Sequence, residues 1–262
     1  IVTAGSQISA TVLSSTAVES VGVAGICVEN HGRIVGCSNQ GSMSAPNRLV
    51  AGICLINGTR GKIEGCNIIS PTSIQAARIG GICYMNDRGH VRACYTAFNT
   101  ASSQNATNAD WGGIVYENKG AVTNCYLMQN GVINTTKSVG GIVHTNTGDA
   151  IVDSCRNYAN TIFAQGVMGG IVAYLNGGEV RNSYCDIPNS AFRFESTATQ
   201  KAVGGLVGVM NDGKLKNCYS HVMIYANTGA QKGSVVGNVT GGTIENCFGW
   251  NNVSSSTPFY GA

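Results

Sequence analysis

The chain has 262 residues, of which 11% are charged, 36 are Gly and 11 are Cys, with a formal net charge of +3. So few charges and so many glycines suit a turn-rich β protein better than a helical enzyme. No apolar run approaches the length of a membrane span, so membrane insertion is not expected. No charged segment followed by an apolar one opens the chain, which starts at Ile1 and reads as a processed or excised piece.

Residues 1–21, with the β-prone run from Ile8 to Leu13, read as the variable arc of a coil whose other sides are missing, or as a cap. From residue 22 one pattern repeats: a small pair, two apolar residues, an Asn-Gly type turn, then apolar-x-small-Cys. Its anchors are Gly25, Gly52, Gly81, Gly113, Gly141, Gly170, Gly205 and Ser234, at steps of 27, 29, 32, 28, 29, 35 and 29 residues. A fixed period in that range marks a solenoid, and it is shorter than a propeller blade needs.

Down the columns the side chains are β-branched or Leu. After each anchor stand Ile26, Ile53, Ile82, Ile114, Ile142, Ile171, Leu206 and Val235. Beyond the turn stand Ile34, Ile63, Val91, Val122, Ile151, Val180, Leu215 and Ile244. Such residues favour strands over helices. The turns carry Asn30, Asn57, Asn86, Asn118, Asn146, Asn176 and Asn211, most with a nearby Gly, suited to positive φ and to an amide ladder along the axis. These columns predict an all-β chain: a parallel β-helix of about eight coils, roughly 29 residues each, over residues 22–248, followed by a closing segment 249–262 with Pro258, Phe259 and Tyr260 as aromatic cover. Strict alternation would expose one residue of each Ile-Val or Ile-Cys pair, yet both columns are apolar, which leaves the inward residue open.

Cys37, Cys66, Cys94, Cys125, Cys155, Cys218 and Cys247 end the second strand motif. Cys27, Cys54 and Cys83 share a column with Val115, Val143, Val172, Val207 and Val236. Exchange of Cys for Val points to buried free thiols, with no metal-ligand spacing present. Cys185 falls out of the column and is the candidate for an exposed thiol. The longest arcs, Tyr95 to Asp110 and Asp186 to Ala202, make Trp111 and Phe192-Arg193-Phe194 the expected bulges from the surface.

Three surface columns carry the functional reading. Glu64 and Arg92, Asp153 and Arg181, and Lys216 and Glu245 stand one coil apart and predict register-setting ion pairs. Tyr95, Tyr126, Tyr184 and Tyr219, with Arg156 and Phe248 in the same column, form either a docking strip for sugar rings or a self-packing stack. Arg60, Lys62 and Arg88, near Arg33 and His90, form a small basic face for an anionic glycan or nucleic acid, or a solvated edge; the weak net charge makes nucleic acid the less expected partner.

The run from Gly204 to Ser220, and less completely from Gly233 to Cys247, resembles the GLUG motif of bacterial surface proteins, also found beside immunoglobulin A-cleaving metallopeptidase domains. The resemblance spans residues 22–250. It departs in the first three coils, where Cys follows the Ile and no Asn precedes the second Cys. It implies a right-handed parallel β-helix on an exported, cell-surface, adhesin-like protein, and it carries no catalytic residue or cofactor across.

A catalytic reading finds little support. Glu64, Asp153 and Glu245 lie three coils apart, about 14 Å, and Asp87, Asp149 and Asp212 two coils apart, about 10 Å, against the roughly 5 to 9.5 Å that glycoside-cleaving carboxylates need. No His pair, nucleophile elbow or phosphate loop is present. The expected function is therefore a non-catalytic extracellular scaffold presenting its arcs to a glycan or a host or microbial surface protein. The alternatives are a subunit of a filament built end to end through its β-helix ends, and, least expected, a polysaccharide-degrading β-helix enzyme.

Overall fold

The computed structural model describes residues 7–9, 22–69, 74–98, 108–128, 132–159, 161–187, 193–196, 201–226 and 229–250. Over these the chain winds as a parallel β-solenoid without a helix, about 29 residues per turn for about seven turns. Each coil runs through three faces. The first holds eight stacked strands from Gly22–Ala24 to Gln231–Gly233. The second is a bent sheet with two arms per coil, such as Cys54–Asn57 and Lys62–Glu64. The third holds eight strands from Ser38–Asn39 to Phe248–Gly249.

From the second coil on, both residues of each apolar pair are inside, whereas in the first coil Ile26 is exposed and Cys27 half-buried; the corner geometry explains how both can enter. Ile82 N–H and Cys83 N–H donate to the same carbonyl, that of Ile114, at 2.8 and 3.0 Å. The chain therefore pivots about the Ile, and two consecutive side chains enter the core from adjacent faces. Ile82 and Cys83 are both fully buried, as are Ile53 and Cys54.

A second corner precedes each Cys of the longer column. Gly36, Gly65, Ala93, Asn124, Ser154, Asn182, Asn217 and Asn246 all have φ between 49° and 63°. That left-handed conformation is open to Gly and accessible to Asn, which is why the position is small or Asn throughout. It turns the strand so that the apolar residue before it and the Cys after it both face inward. Cys66, Cys94, Cys125 and Cys155 are fully buried, and all eleven cysteines are free thiols.

The bend between the two arms is built in two ways. In the first five coils Asn30, Asn57, Asn86, Asn118 and Asn146 are buried and linked amide to amide at 2.8 to 2.9 Å. The predicted continuation through Asn176 and Asn211 does not occur. Leu175 pairs with Asn146 and Met210 with Leu175, so apolar side chains take the corner, and Asn211 reaches Asn176 on the exposed surface instead. There the two arms run on as single strands, Val172–Arg181 and Val207–Lys216.

The arcs are more regular than their sequences suggest. Short strands at Ser42–Ser44 and Ile74–Gln75, and at Val132–Asn134, Thr161–Ala164, Arg193–Ser196 and Met223–Ala226, stack into two small sheets. Met43, Ile74, Ile133, Ile162 and Ile224 close the core from this side. Gln7–Ser9 pairs with Ser42–Ser44, which places it as an arc strand of a preceding coil.

Two expectations are corrected. Trp111 does not bulge: it lies on a first-face strand, fully buried, edge-on to Phe98 at 4.8 Å. Cys185 is not exposed: it shares an inward column with Asn157 and Ser220 and is fully buried. Phe192 and Pro258 to Tyr260 lie outside the described residues. Of the predicted ion pairs, Asp153–Arg181 (2.9 Å) and Lys216–Glu245 (3.4 Å) form. Glu64 turns instead to Arg33 at 2.8 Å.

Candidate functional site

The outward side of the third face carries two columns. Register places Tyr95, Tyr126, Arg156, Tyr184, Tyr219 and Phe248 in one line. Two residues further along each strand stand Ala97, Met128, Tyr158, Asp186, His221 and Trp250. Alternation along a strand turns both columns away from the core, because Leu127, Asn157, Cys185 and Ser220 between them are buried.

The tyrosines stack on one another. Tyr95 and Tyr126 lie 5.1 Å apart at 12°, Tyr184 and Tyr219 4.8 Å apart at 7°. Near-parallel rings at the coil spacing cover each other's faces and present their edges to solvent. A sugar cannot dock on a face already occupied, so the strip expected from these four tyrosines is interrupted where they pair.

Free aromatic surface collects at the last coils. Tyr219 is 41%, Trp250 59% and Phe248 70% exposed. Beside them His221 Nδ1 lies 3.1 Å from Asp186 Oδ1, and the His221 ring is 4.9 Å from that of Trp250. Tyr158 and Tyr184 join hydroxyl to hydroxyl, and burial together with that contact pushes the Tyr184 phenol up to about 12. It stays protonated at neutral pH.

The basic residues are placed less compactly. Arg33, Lys62 and His90 are successive in register and exposed. Arg60 and Arg88 project from turns, Arg88 with φ 59°. Glu64 lies on the same arm, and the Arg33 guanidinium bonded to it holds its carboxyl below the usual range. Arg60, Lys62 and Arg88 are thus on one side of the first coils, but they do not converge on one point.

A cluster not anticipated from the sequence fills the outer corner between the first and second faces. Tyr84, Tyr116 and His144 stack at 5.0 and 4.5 Å, and Tyr174 tilts onto His144 at 5.3 Å. Asp110 Oδ1 is 3.7 Å from His144 Nε2 and accepts the Ser138 N–H at 3.0 Å. Burial would raise the Asp110 carboxyl, but the His144 and Ser138 contacts outweigh it and hold it low. Its sequence signature is a ring three residues after three successive anchors (Tyr84, Tyr116, His144) and a polar residue three before them (Arg78, Asp110, Ser138).

Ser, His and Asp in one cluster invite comparison with a nucleophile relay, and the contacts refuse it. His144 Nδ1 faces Thr145 Oγ1 at 2.9 Å, whereas Ser138 Oγ accepts the Val167 N–H at 3.0 Å and lies 3.3 Å from the Tyr174 hydroxyl. The base does not touch the candidate nucleophile, and the corner reads as packing.

Asp149, Glu179 and Asp212 line a shallow groove of about 660 Å³ with Lys214, and Glu179 is bound to Arg181 at 2.9 Å. Among the described residues no three His, Cys, Asp or Glu converge as a metal site would require, and no helix is long and apolar enough to cross a membrane. No family model matches the chain, and no curated protein sequence matches it.

Proposed function

We propose that this chain is a non-catalytic scaffold of an extracellular, bacterial cell-surface protein, adhesin-like in role, whose third face binds a glycan or a surface protein. The observation that carries the reading is the exposed aromatic group Tyr219, Phe248 and Trp250 beside the Asp186–His221 pair. Exposed rings next to hydrogen-bonding groups on a rigid sheet suit a ligand with alternating apolar and hydroxyl surface. The GLUG resemblance of residues 22–250 supports the surface location. Neither a nucleic acid nor a cofactor is needed for this role.

Glycan-array binding by the intact chain is the test. Phe248→Ala and Trp250→Ala should each weaken binding by about 10-fold while leaving the melting temperature in place, since both side chains are mostly exposed. A blank array for glycans, and no capture of purified host or microbial surface proteins, would sink the proposal. Exchanging Arg60, Lys62 and Arg88 for Ser tests the basic face separately by heparin retention.

End-to-end filament growth is the weaker reading.

A further inference from the structure

The aromatic column of the third face has one gap, and a cation fills it. Arg156 stands between Tyr126 and Tyr184 in register, one coil from each. Its guanidinium carbon lies 5.6 Å from the Tyr184 ring centroid. Tyr184 is itself braced on both sides, stacked on Tyr219 and hydrogen-bonded to Tyr158. The Arg156 side chain is exposed, and it makes no ion pair among the described residues. Three neighbours are already engaged: Asp153 holds Arg181, Glu245 holds Lys216 and Asp186 contacts His221. A guanidinium resting on a ring is held in orientation while its N–H edge stays free, which is the arrangement that takes a carboxylate or sulfate through paired hydrogen bonds.

We infer that Arg156 is the anion-reading residue of the third face and that the ligand is a sugar bearing an oxyanion, a carboxylate or a sulfate. The inference rests on the glycan-binding reading given above and narrows it. The anionic group sits in the gap between Tyr126 and Tyr184. The rest of the sugar chain runs along the axis past the edge of Tyr219 toward Phe248 and Trp250, where exposed rings take the apolar faces and Asp186 and His221 meet hydroxyls. Asp186 stands one coil on and one column over, and its Oδ1 is engaged by His221. A neutral sugar would leave Arg156 without a partner, and a free anion would leave the rings unused.

The test compares a polyuronate, a sulfated glycan and a neutral glucan on the intact wild-type chain, on Arg156→Gln and on Lys137→Gln, an exposed cation away from the third face. The last removes the same charge from another face. The expected result is acidic-glycan binding that weakens with salt, falls about 10-fold in Arg156→Gln and is unchanged in Lys137→Gln. Arg156→Lys should recover only part of it, because an ammonium keeps the charge without the paired donors. The polyuronate and sulfate arms identify which oxyanion is read. Equal binding of acidic glycans by wild type and Arg156→Gln, or a preference for the neutral glucan, overturns this inference and leaves the scaffold reading standing. Absence of binding to all three also overturns this inference, while the scaffold reading falls only if the full array and the surface-protein capture are blank as well.

Discussion

Ser234 and Gly249 face each other across the last coil with their sizes exchanged relative to the coils before it. A Cβ on the anchor Gly25 would meet Asn39 Nδ2 at 2.2 Å, one on Gly52 would meet Ile68 Cδ1 at 2.2 Å, and one on Gly205 would meet Ser220 Oγ at 2.0 Å. In those coils a third-face side chain fills the space and the anchor has none. In the last coil the anchor is Ser234, and it is Gly249 whose Cβ would strike, 2.4 Å from Ser234 Oγ. Gly249→Ser should therefore destabilise the chain by about 1 to 3 kcal/mol. Adding Ser234→Gly should restore most of it. Urea denaturation of the two single variants and the double gives the coupling, and simple additivity would mean the two residues do not share that space.

Ala93 is the one residue at the second corner that is neither Gly, Asn nor Ser, and it is held at φ 52°. The left-handed region costs a non-Gly residue about 1 kcal/mol. Ala93→Gly should gain part of that, roughly 0.5 kcal/mol after the added freedom of the unfolded chain, and Gly65→Ala should lose about 1 kcal/mol. Calorimetric melting temperatures moving in opposite directions would bear this out.

The two Asn environments separate residues that occupy one column of the sequence. Asn86 accepts from Asn57 and donates to Asn118 and to the Ala121 carbonyl. Asn86→Leu strands two buried amides and should cost about 2 to 4 kcal/mol. Asn211→Leu removes two exposed bonds, one donated to Asn176 and one accepted from Thr240, and should stay within about 0.5 kcal/mol. Equal costs would show that the buried ladder contributes nothing specific.

That contrast also marks how far the sequence could be read. The period, the two apolar ladders and the thiol columns are statements about a residue and its equivalent one coil away, and they survive because a parallel stack repeats each environment. One position departs: Val152 and not Ile151 takes the inward place in the second ladder, in register with Val122 and Val180. What was not legible depends on residues from different faces. Asn176 and Leu175 compete for one corner, and a shift of one residue decides between them. Trp111 sits on a strand just before an anchor, where it points into the core next to Phe98 rather than out of an arc. The Tyr84, Tyr116 and His144 stack needs Asp110 and Ser138 from the first face to make sense of it. The tyrosine column was legible as a column, but whether its rings offer faces or edges is set by their tilt.

Acid should reveal Asp153. Burial would raise its carboxyl, but bonds from Asn182, Arg181 and Ser154 outweigh it and hold the folded value below the ordinary one. A carboxyl depressed in the folded state stabilises the chain at pH values above its unfolded pKa, about 3.9, and that contribution is lost as pH falls through the folded value. Asp153→Asn should lower the melting temperature at pH 6 and change it little at pH 2. A constant difference across that range would mean that the pair with Arg181 does not titrate as a stabilising contact.

Thiol reactivity should follow burial rather than the sequence column. Cys27 and Cys37, in the first described coil, are partly buried, and the other nine cysteines are buried. Burial raises the Cys83, Cys125 and Cys185 thiols above their ordinary value, so at pH 8 they are neutral as well as shielded, and a thiolate is what reacts. Ellman's reagent should therefore find two fast thiols in the folded chain and all eleven once it is denatured. Cys185→Ser should leave the fast count unchanged, and Cys27→Ser with Cys37→Ser should abolish it. Because the folded state prefers these thiols protonated, their contribution to stability is complete below the unfolded thiol pKa, about 8.5, and declines as pH rises toward the folded values. A fast reaction at Cys185 would place Tyr184–Asp186 one residue out of register, turning Cys185 outward and Tyr184 into the core, and would dismantle the Tyr184–Tyr219 stack on which the Arg156 site depends.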